Sequence, residues 1–123
     1  LIRVVGEGFE IQGLDIVLTW YRTSASGLSS EMSAMLESRR RVIDTAFRYG
    51  VCPTRADDAV YMRYLARRAL RLNAPHREAW AYVREGLRLH PKRFLTPMKR
   101  GAATAVAAAM VRCVPSAARL IRS

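Results

Sequence analysis

Helix-breaking residues divide most of this chain into segments of helical length. Prolines stand at Pro53, Pro75, Pro91 and Pro115, and Gly50 precedes the first of them. Because proline cannot continue a helix and glycine often ends one, these residues predict where helices stop. Between them, apolar residues recur every three or four positions, which is the helical period. The sequence therefore predicts a mainly α fold with a bundle of about four helices.

Capping residues refine the bounds of these helices. Ser30 and Thr96 are good N-caps, and Pro97 suits a first helical position. Thr54 and Asp57 have the spacing of a capping box. The predicted helices run from Ser30 to Gly50, from Thr54 to about Leu72, from Pro75 or His76 to Leu89, and from Thr96 to about Val114.

The residues before the first long helix have a different pattern. Phe9 and Ile11 alternate with polar residues, and Ile16 to Tyr21 is a β-branched and aromatic run. We expect a short β-hairpin here. Because a lone two-stranded unit is marginal in water, this hairpin is interpreted as the edge of a larger, missing sheet. Leu1 begins inside an amphipathic pattern without a cap, so we expect the chain to be part of a longer protein.

The net charge of +11 is concentrated in the second half of the chain. Residues 1–58 carry seven basic and eight acidic side chains, whereas residues 59–123 carry fourteen basic and two acidic ones. Such a basic region is attracted to anionic lipid, nucleic acid or an acidic protein, with nucleic acid the least favoured of these.

The last predicted helix contains an uncharged run from Gly101 to Val111, which is too short to span a bilayer. Packing against the bundle is the favoured interpretation. The alternative is a membrane interface, with basic residues facing the headgroups. The predicted membrane or anion surface consists of Lys92, Arg93, Lys99, Arg100 and Arg112.

A short internal echo indicates a repeat-like helix pair. Leu70 to Asn73 and Leu87 to His90 are similar and lie seventeen residues apart, half of the tetratricopeptide period. One helical hairpin is fewer than an independent repeat array needs. One function hypothesis is therefore a small, basic, tetratricopeptide-like interaction module.

A second hypothesis comes from the segment that joins the predicted strand to the first long helix. Leu18-Thr19-Trp20-Tyr21-Arg22, followed by a Ser/Gly loop and Ser29-Ser30, resembles the carboxyl-terminal edge of a family 2 glycosyltransferase catalytic domain. The resemblance covers about residues 1–47. It implies that residues 1–29 are the edge of that domain and residues 30–123 a helical carboxyl-terminal region. From the two cysteines, expected to be reduced, we predict a cytoplasmic protein, with a peripheral position at the inner membrane face as an alternative.

The same resemblance implies a chemistry for the parent protein. The parent would transfer a sugar from a nucleotide sugar to a glycan or lipid-linked acceptor, with Mg²⁺ or Mn²⁺ beside the diphosphate. The family's Asp-x-Asp motif and acceptor base are not in this chain, so no catalytic residue is assigned and the fragment alone should be inactive. The donor-diphosphate loop would comprise Tyr21, Arg22, Ser24, Ser26 and Ser29.

The pattern departs from the family at Ser24, where many relatives have histidine, which weakens the case for direct contact with the diphosphate. The alternative is structural: Arg22 pairs with a neighbouring acid, and Ser29 and Ser30 only cap the helix.

Cysteine and histidine positions predict no metal site. Cys52 and Cys113 are far apart in sequence and not clustered with either histidine, so we expect two reduced, partly buried thiols. His76 and His90 flank helix ends and are expected to be exposed or capping. The Asp57-Asp58 pair is better explained by the positive end of a helix than by a metal.

Overall fold

A computed structural model of this chain describes residues 2–19, 31–72 and 74–113. Within these ranges the prediction of a mainly helical fold is confirmed. Two compact units are present, Leu1–Pro53 and Thr54–Ser123. The helices are α1 (Ile2–Gly6), α2 (Met32–Arg48), α3 (Arg55–Arg71), α4 (His76–Leu89), α5 (Pro91–Leu95) and α6 (Met98–Cys113).

In the first unit, α1 contacts α2. Tyr49, directly after α2, lies so close to Gly6 that a Cβ atom there would collide with its ring. The Tyr49 hydroxyl donates a 3.0 Å hydrogen bond to Glu7 Oε1. Gly50 has a φ of 74°, a left-handed conformation that suits glycine and ends α2 as predicted.

The predicted start of the first long helix is wrong by one residue. Glu31, not Ser30, is the N-cap of α2, and its side chain makes no capping hydrogen bond. Met32 and Ala46 are the buried residues of this helix.

The predicted β-hairpin is not seen: residues 9–19 form no strand. Trp20 and Tyr21, the last residues of the second predicted strand, lie outside the described ranges. The physical reason is the lack of a partner. A strand needs a neighbour for its backbone hydrogen bonds, and a two-stranded unit without a packed face is marginal. The apolar side chains from Phe9 to Leu18 are exposed, so no such face exists in the described residues.

In the second unit, the predicted capping box is present at the start of α3. The Thr54 hydroxyl accepts from the Asp57 backbone N–H, and the Asp57 carboxylate accepts from the Thr54 N–H at 2.9 Å. α3 packs most extensively on α4, which confirms a helix pair. α6 then packs on α4, α3 and α5.

The short helix α5 was not predicted, and it changes the start of α6. Thr96 is the C-cap of α5, and its hydroxyl donates to the Lys92 carbonyl at 2.8 Å. The prediction that Thr96 is the N-cap of the last helix is therefore wrong. α6 begins at Met98, and the Pro97 carbonyl accepts from the Arg100 and Gly101 N–H groups.

The core of the second unit lies between α3, α4, α5 and α6. Its largest fully buried side chains are Phe94, Leu65 and Val83, surrounded mostly by alanines. Two glycines permit the close packing around α5. A Cβ atom at Gly86 would collide with the Phe94 ring, and one at Gly101 would collide with the Leu95 backbone.

Candidate anion-binding cleft

An open cleft of about 330 Å³ lies between α3 and α6. Both helices contribute basic side chains and small or apolar ones. The lining residues are Arg67, Leu70 and Arg71 from α3, and Lys99, Arg100, Ala103, Thr104 and Ala107 from α6.

The cations reach the cleft because of their helical spacing. Arg67 and Arg71 are four residues apart, so they lie on one face of α3. Lys99 and Arg100 lie in the first turn of α6, where the helix dipole adds a positive partial charge. The cleft therefore combines four positive side chains with the positive end of a helix.

The remaining lining residues carry no negative charge. Leu70, Ala103 and Ala107 are apolar, and Thr104 is buried with its hydroxyl donating to the Arg100 carbonyl at 2.7 Å. None of the described residues that line the cleft is acidic. A ligand with an anionic group and an apolar part fits this arrangement best.

A fifth cation, Arg63, lies one helical turn before Arg67 and has a structural role. Arg63 Nη1 donates to the Phe94 carbonyl at 2.8 Å and to the Thr96 carbonyl, so it ties the end of α5 to α3. Partial burial is the main cause that lowers the pKa of Arg63, followed by repulsion from Arg67, Arg100 and Arg93. These like charges lie close enough to oppose one another, so a bound anion would relieve their repulsion.

The structure brings together only part of the predicted anion surface. Lys99 and Arg100 line the cleft, whereas Lys92 and Arg93 are exposed on α5. Arg112 stacks over the Trp80 ring, with its guanidinium carbon 6.0 Å from the ring centroid. Since each helical residue rises about 1.5 Å, Arg112 lies about 20 Å along α6 from Lys99. The predicted surface is thus not a single cluster.

Sequence reasoning missed Arg67 and Arg71. Their signal was available: Arg63, Arg67 and Arg71 are spaced by four residues on one predicted helix. Such a stripe is usually a solvated face, and only the packing of α6 alongside α3 makes two of its members part of a cleft.

The predicted diphosphate loop, Tyr21, Arg22, Ser24, Ser26 and Ser29, lies outside the described residues, and its role stays a prediction. Within the described ranges, no group of three or more His, Cys, Asp or Glu residues could hold a metal ion.

Other sequence-based predictions have mixed outcomes. His90 caps α5 as expected: its Nδ1 accepts from the Arg93 N–H at 3.2 Å. Both cysteines are free, but Cys52 and Cys113 are exposed. The expectation that they are partly buried is wrong, because one lies in the connection between α2 and α3 and the other on the outer side of α6.

None of the described helices is both long and apolar enough to cross a membrane. No protein-family model, curated protein or solved structure matches this chain.

Proposed function

We propose that this chain is the carboxyl-terminal part of a family 2 glycosyltransferase. Its parent would transfer a sugar from a nucleotide sugar to a glycan or lipid-linked acceptor. The sequence from Leu18 to Arg22 and the serines that follow support this proposal, as does one structural observation on the segment before them.

That observation is a run of exposed apolar side chains, each more than half exposed: Phe9, Ile11, Leu14, Ile16, Val17 and Leu18. A concentration of apolar surface usually marks contact with another protein surface. In the proposed parent, that surface is the sheet of the catalytic domain, and this segment adds its edge strands.

The proposal gives this chain a binding role rather than a catalytic one. Arg22 would contact the donor diphosphate through its planar guanidinium, and Ser26 and Ser29 would donate hydrogen bonds. The divalent metal and the acceptor base would be held by the catalytic domain. The isolated chain is therefore expected to show no transferase activity.

Amide NMR of the chain, titrated with uridine or guanosine diphosphate and Mg²⁺, tests this role. We expect shifts centred on residues 21–30 that disappear in the Arg22→Gln variant. The Arg3→Gln variant, which removes the same charge elsewhere in the first unit, should behave like wild type. If the shifts are absent, or if Arg3→Gln removes them equally, the donor loop has no independent function.

The coding sequence upstream of Leu1 offers a second test. We expect it to encode an Asp-x-Asp motif and, directly before Leu1, an acidic acceptor-side motif. A further helical repeat in that position would overturn the glycosyltransferase proposal.

The cleft favours a second function, carried by the helical unit. We propose that residues 54–113 form an anion-binding interaction module, with Arg67, Arg71, Lys99 and Arg100 as its ligand-binding residues. The supporting observation is the convergence of these four cations on one cleft with no acidic lining residue.

Binding of the full chain to inorganic polyphosphate tests the module. The double variant R71Q/K99Q should bind more weakly than R77Q/R84Q, which removes two exposed cations from α4, outside the cleft. Equal losses would show that binding follows net charge and not the cleft.

A further inference from the structure

The outer side of α6 carries an apolar row that the bundle does not cover. Met98, Val106 and Met110 are between 48% and 74% exposed. They are separated by eight and four residues, so they lie along one side of the helix. The opposite side is used for packing: Gly101, Thr104, Ala108 and Val111 are buried.

The basic cleft opens directly beside this row. Lys99 and Ala107, which line the cleft, directly follow Met98 and Val106 of this row in the helix. A step of one residue turns the helix by about 100°. The exposed apolar row and the cluster of cations therefore lie side by side on one continuous surface of the second unit.

This combination selects among anionic partners. Nucleic acid would use the cations but has no need of an exposed row of methionine and valine. A small soluble phosphate would occupy the cleft and leave the row uncovered. An anionic bilayer uses both features, because its headgroups carry phosphate and its interface accepts apolar side chains.

We propose that α6 binds the surface of an anionic membrane, with Met98, Val106 and Met110 in the interface and a lipid phosphate in the cleft. This proposal rests on the helical unit being an anion-binding module. Arg67 and Arg71 would reach the phosphate from α3, and Lys99 and Arg100 from α6. Arginine suits this role since its donors can bind two phosphate oxygens at once.

Vesicle co-sedimentation tests the contribution of charge. The full chain should bind phosphatidylcholine vesicles that contain phosphatidylglycerol, and not vesicles of phosphatidylcholine alone. In R71Q/K99Q, affinity should fall about 25-fold, since each cation at an anionic surface contributes about fivefold. Arg71 and Lys99 are chosen because both are exposed, so their loss should leave the fold intact.

The matched charge control is R77Q/R84Q, which should lose about fivefold or less. For the apolar row, V106Q/M110Q should lose at least about tenfold. Its control, V42Q/F47Q, replaces two exposed apolar residues of α2 and should bind like wild type. Circular dichroism should show unchanged helicity in all four variants.

The two exposed cysteines report which part of the chain enters the bilayer. Cys113 lies on the same side of α6 as Met110, whereas Cys52 lies outside α6. A polarity-sensitive dye on Cys113, in a Cys52→Ser background, should shift to the blue on binding. The same dye on Cys52, in a Cys113→Ser background, should not. Equal shifts, or a shift at Cys52 alone, would overturn the placement of α6.

The remaining outcomes separate the membrane proposal from the module proposal. A different outcome is that the chain binds inorganic diphosphate or duplex RNA but no vesicles. If R71Q/K99Q weakens that binding, the membrane proposal is overturned and the module proposal is supported. If the chain binds neither vesicles nor diphosphate nor RNA, both proposals are overturned. If R71Q/K99Q and R77Q/R84Q reduce vesicle binding equally, the cleft is not the lipid site.

Discussion

Residues 9–18 and the helical unit 54–113 are both rich in apolar side chains, yet they use them in opposite ways. Phe9 is 66% exposed, whereas Phe94 is fully buried at 0%. In the helical unit, each helix presents a stripe that its neighbours cover. The N-terminal segment has no neighbouring element to cover it in the described structure. Apolar composition alone therefore does not decide burial; the presence of a partner surface does.

Replacing a phenylalanine by alanine in each region should give the largest difference in the free energy of unfolding. Phe94→Ala removes the largest fully buried side chain and should lower the free energy of unfolding by about 4 kcal/mol. Phe9→Ala should change it by less than about 0.5 kcal/mol, since that ring is largely exposed. Urea unfolding, followed by Trp80 fluorescence in a Trp20→Phe background, measures the helical unit.

The comparison fails if Phe9→Ala is as costly as Phe94→Ala. That result would contradict the exposure of the Phe9 ring.

A pair of glycine substitutions should give the next largest difference. At Gly101, the added methyl group would meet the Leu95 backbone, which cannot move without shifting α5. Gly101→Ala should therefore destabilise the helical unit by about 2 kcal/mol, even though alanine favours helix by about 1 kcal/mol. At Gly13 no atom lies within 4 Å of the new Cβ, so Gly13→Ala should have almost no effect. Thermal unfolding by circular dichroism checks both, and a stabilised Gly101→Ala variant would contradict the packing described for α5 and α6.

Substitutions at the helix N-caps should give a smaller difference in stability between the two units. Thr54→Ala removes the capping box of α3 and should cost about 1 kcal/mol. Glu31→Ala at the N-cap of α2 should cost much less, because Glu31 makes no capping hydrogen bond. Amide hydrogen exchange in the first turn of each helix provides the readout. The prediction is contradicted if Glu31→Ala accelerates exchange at the start of α2 more than Thr54→Ala accelerates it at the start of α3.

The smallest expected difference concerns the pKa values of two tyrosines. Both values are raised, but the main cause differs between the two units. Burial, followed by the nearby Glu78 carboxylate, raises the pKa of Tyr82 to about 12. The hydrogen bond to Glu7 is the main cause that raises the pKa of Tyr49 above its ordinary value. Glu7→Ala should therefore return the Tyr49 pKa most of the way, whereas Glu78→Ala should leave the Tyr82 pKa raised. Carbon-13 NMR of labelled tyrosine rings resolves the two.

The sign for stability follows from proton binding. Between about pH 10 and pH 12, the unfolded chain loses the Tyr82 proton while the folded chain keeps it. The stability contributed by Tyr82 is therefore complete below about pH 10 and falls as the pH rises to about 12. Constant stability across that range would show that Tyr82 is not buried in solution.

The helices were largely predictable from the sequence, and the reasons are local. Thr54 with Asp57, and Gly50 after α2, set helix ends through hydrogen bonds and backbone geometry within a few residues. α5 was missed because five residues are too few to show a helical period. The strand prediction for Ile16 to Tyr21 rested on side-chain preference, which cannot supply the pairing partner that a strand needs.

The cleft was only half predictable. Lys99 and Arg100 stood out as cations beside an uncharged run, whereas Arg67 and Arg71 were not singled out, because arginines spaced along a helix are usually solvated. Their convergence depends on α6 packing alongside α3, more than twenty residues later in the chain. That contact is a property of the tertiary fold and is not encoded in either helix alone.

The α3–α4 pair has a consequence for how this protein acquires its structure. α3 ends at Arg71 and α4 begins at His76, so the most extensive helix contact joins neighbours in sequence. Contacts between near neighbours require little loop closure, and helical domains of this kind fold within microseconds to milliseconds. The pair can therefore form while the chain is still leaving the ribosome, as soon as Leu89 has emerged, and offer α5 and α6 a template on which to complete the core.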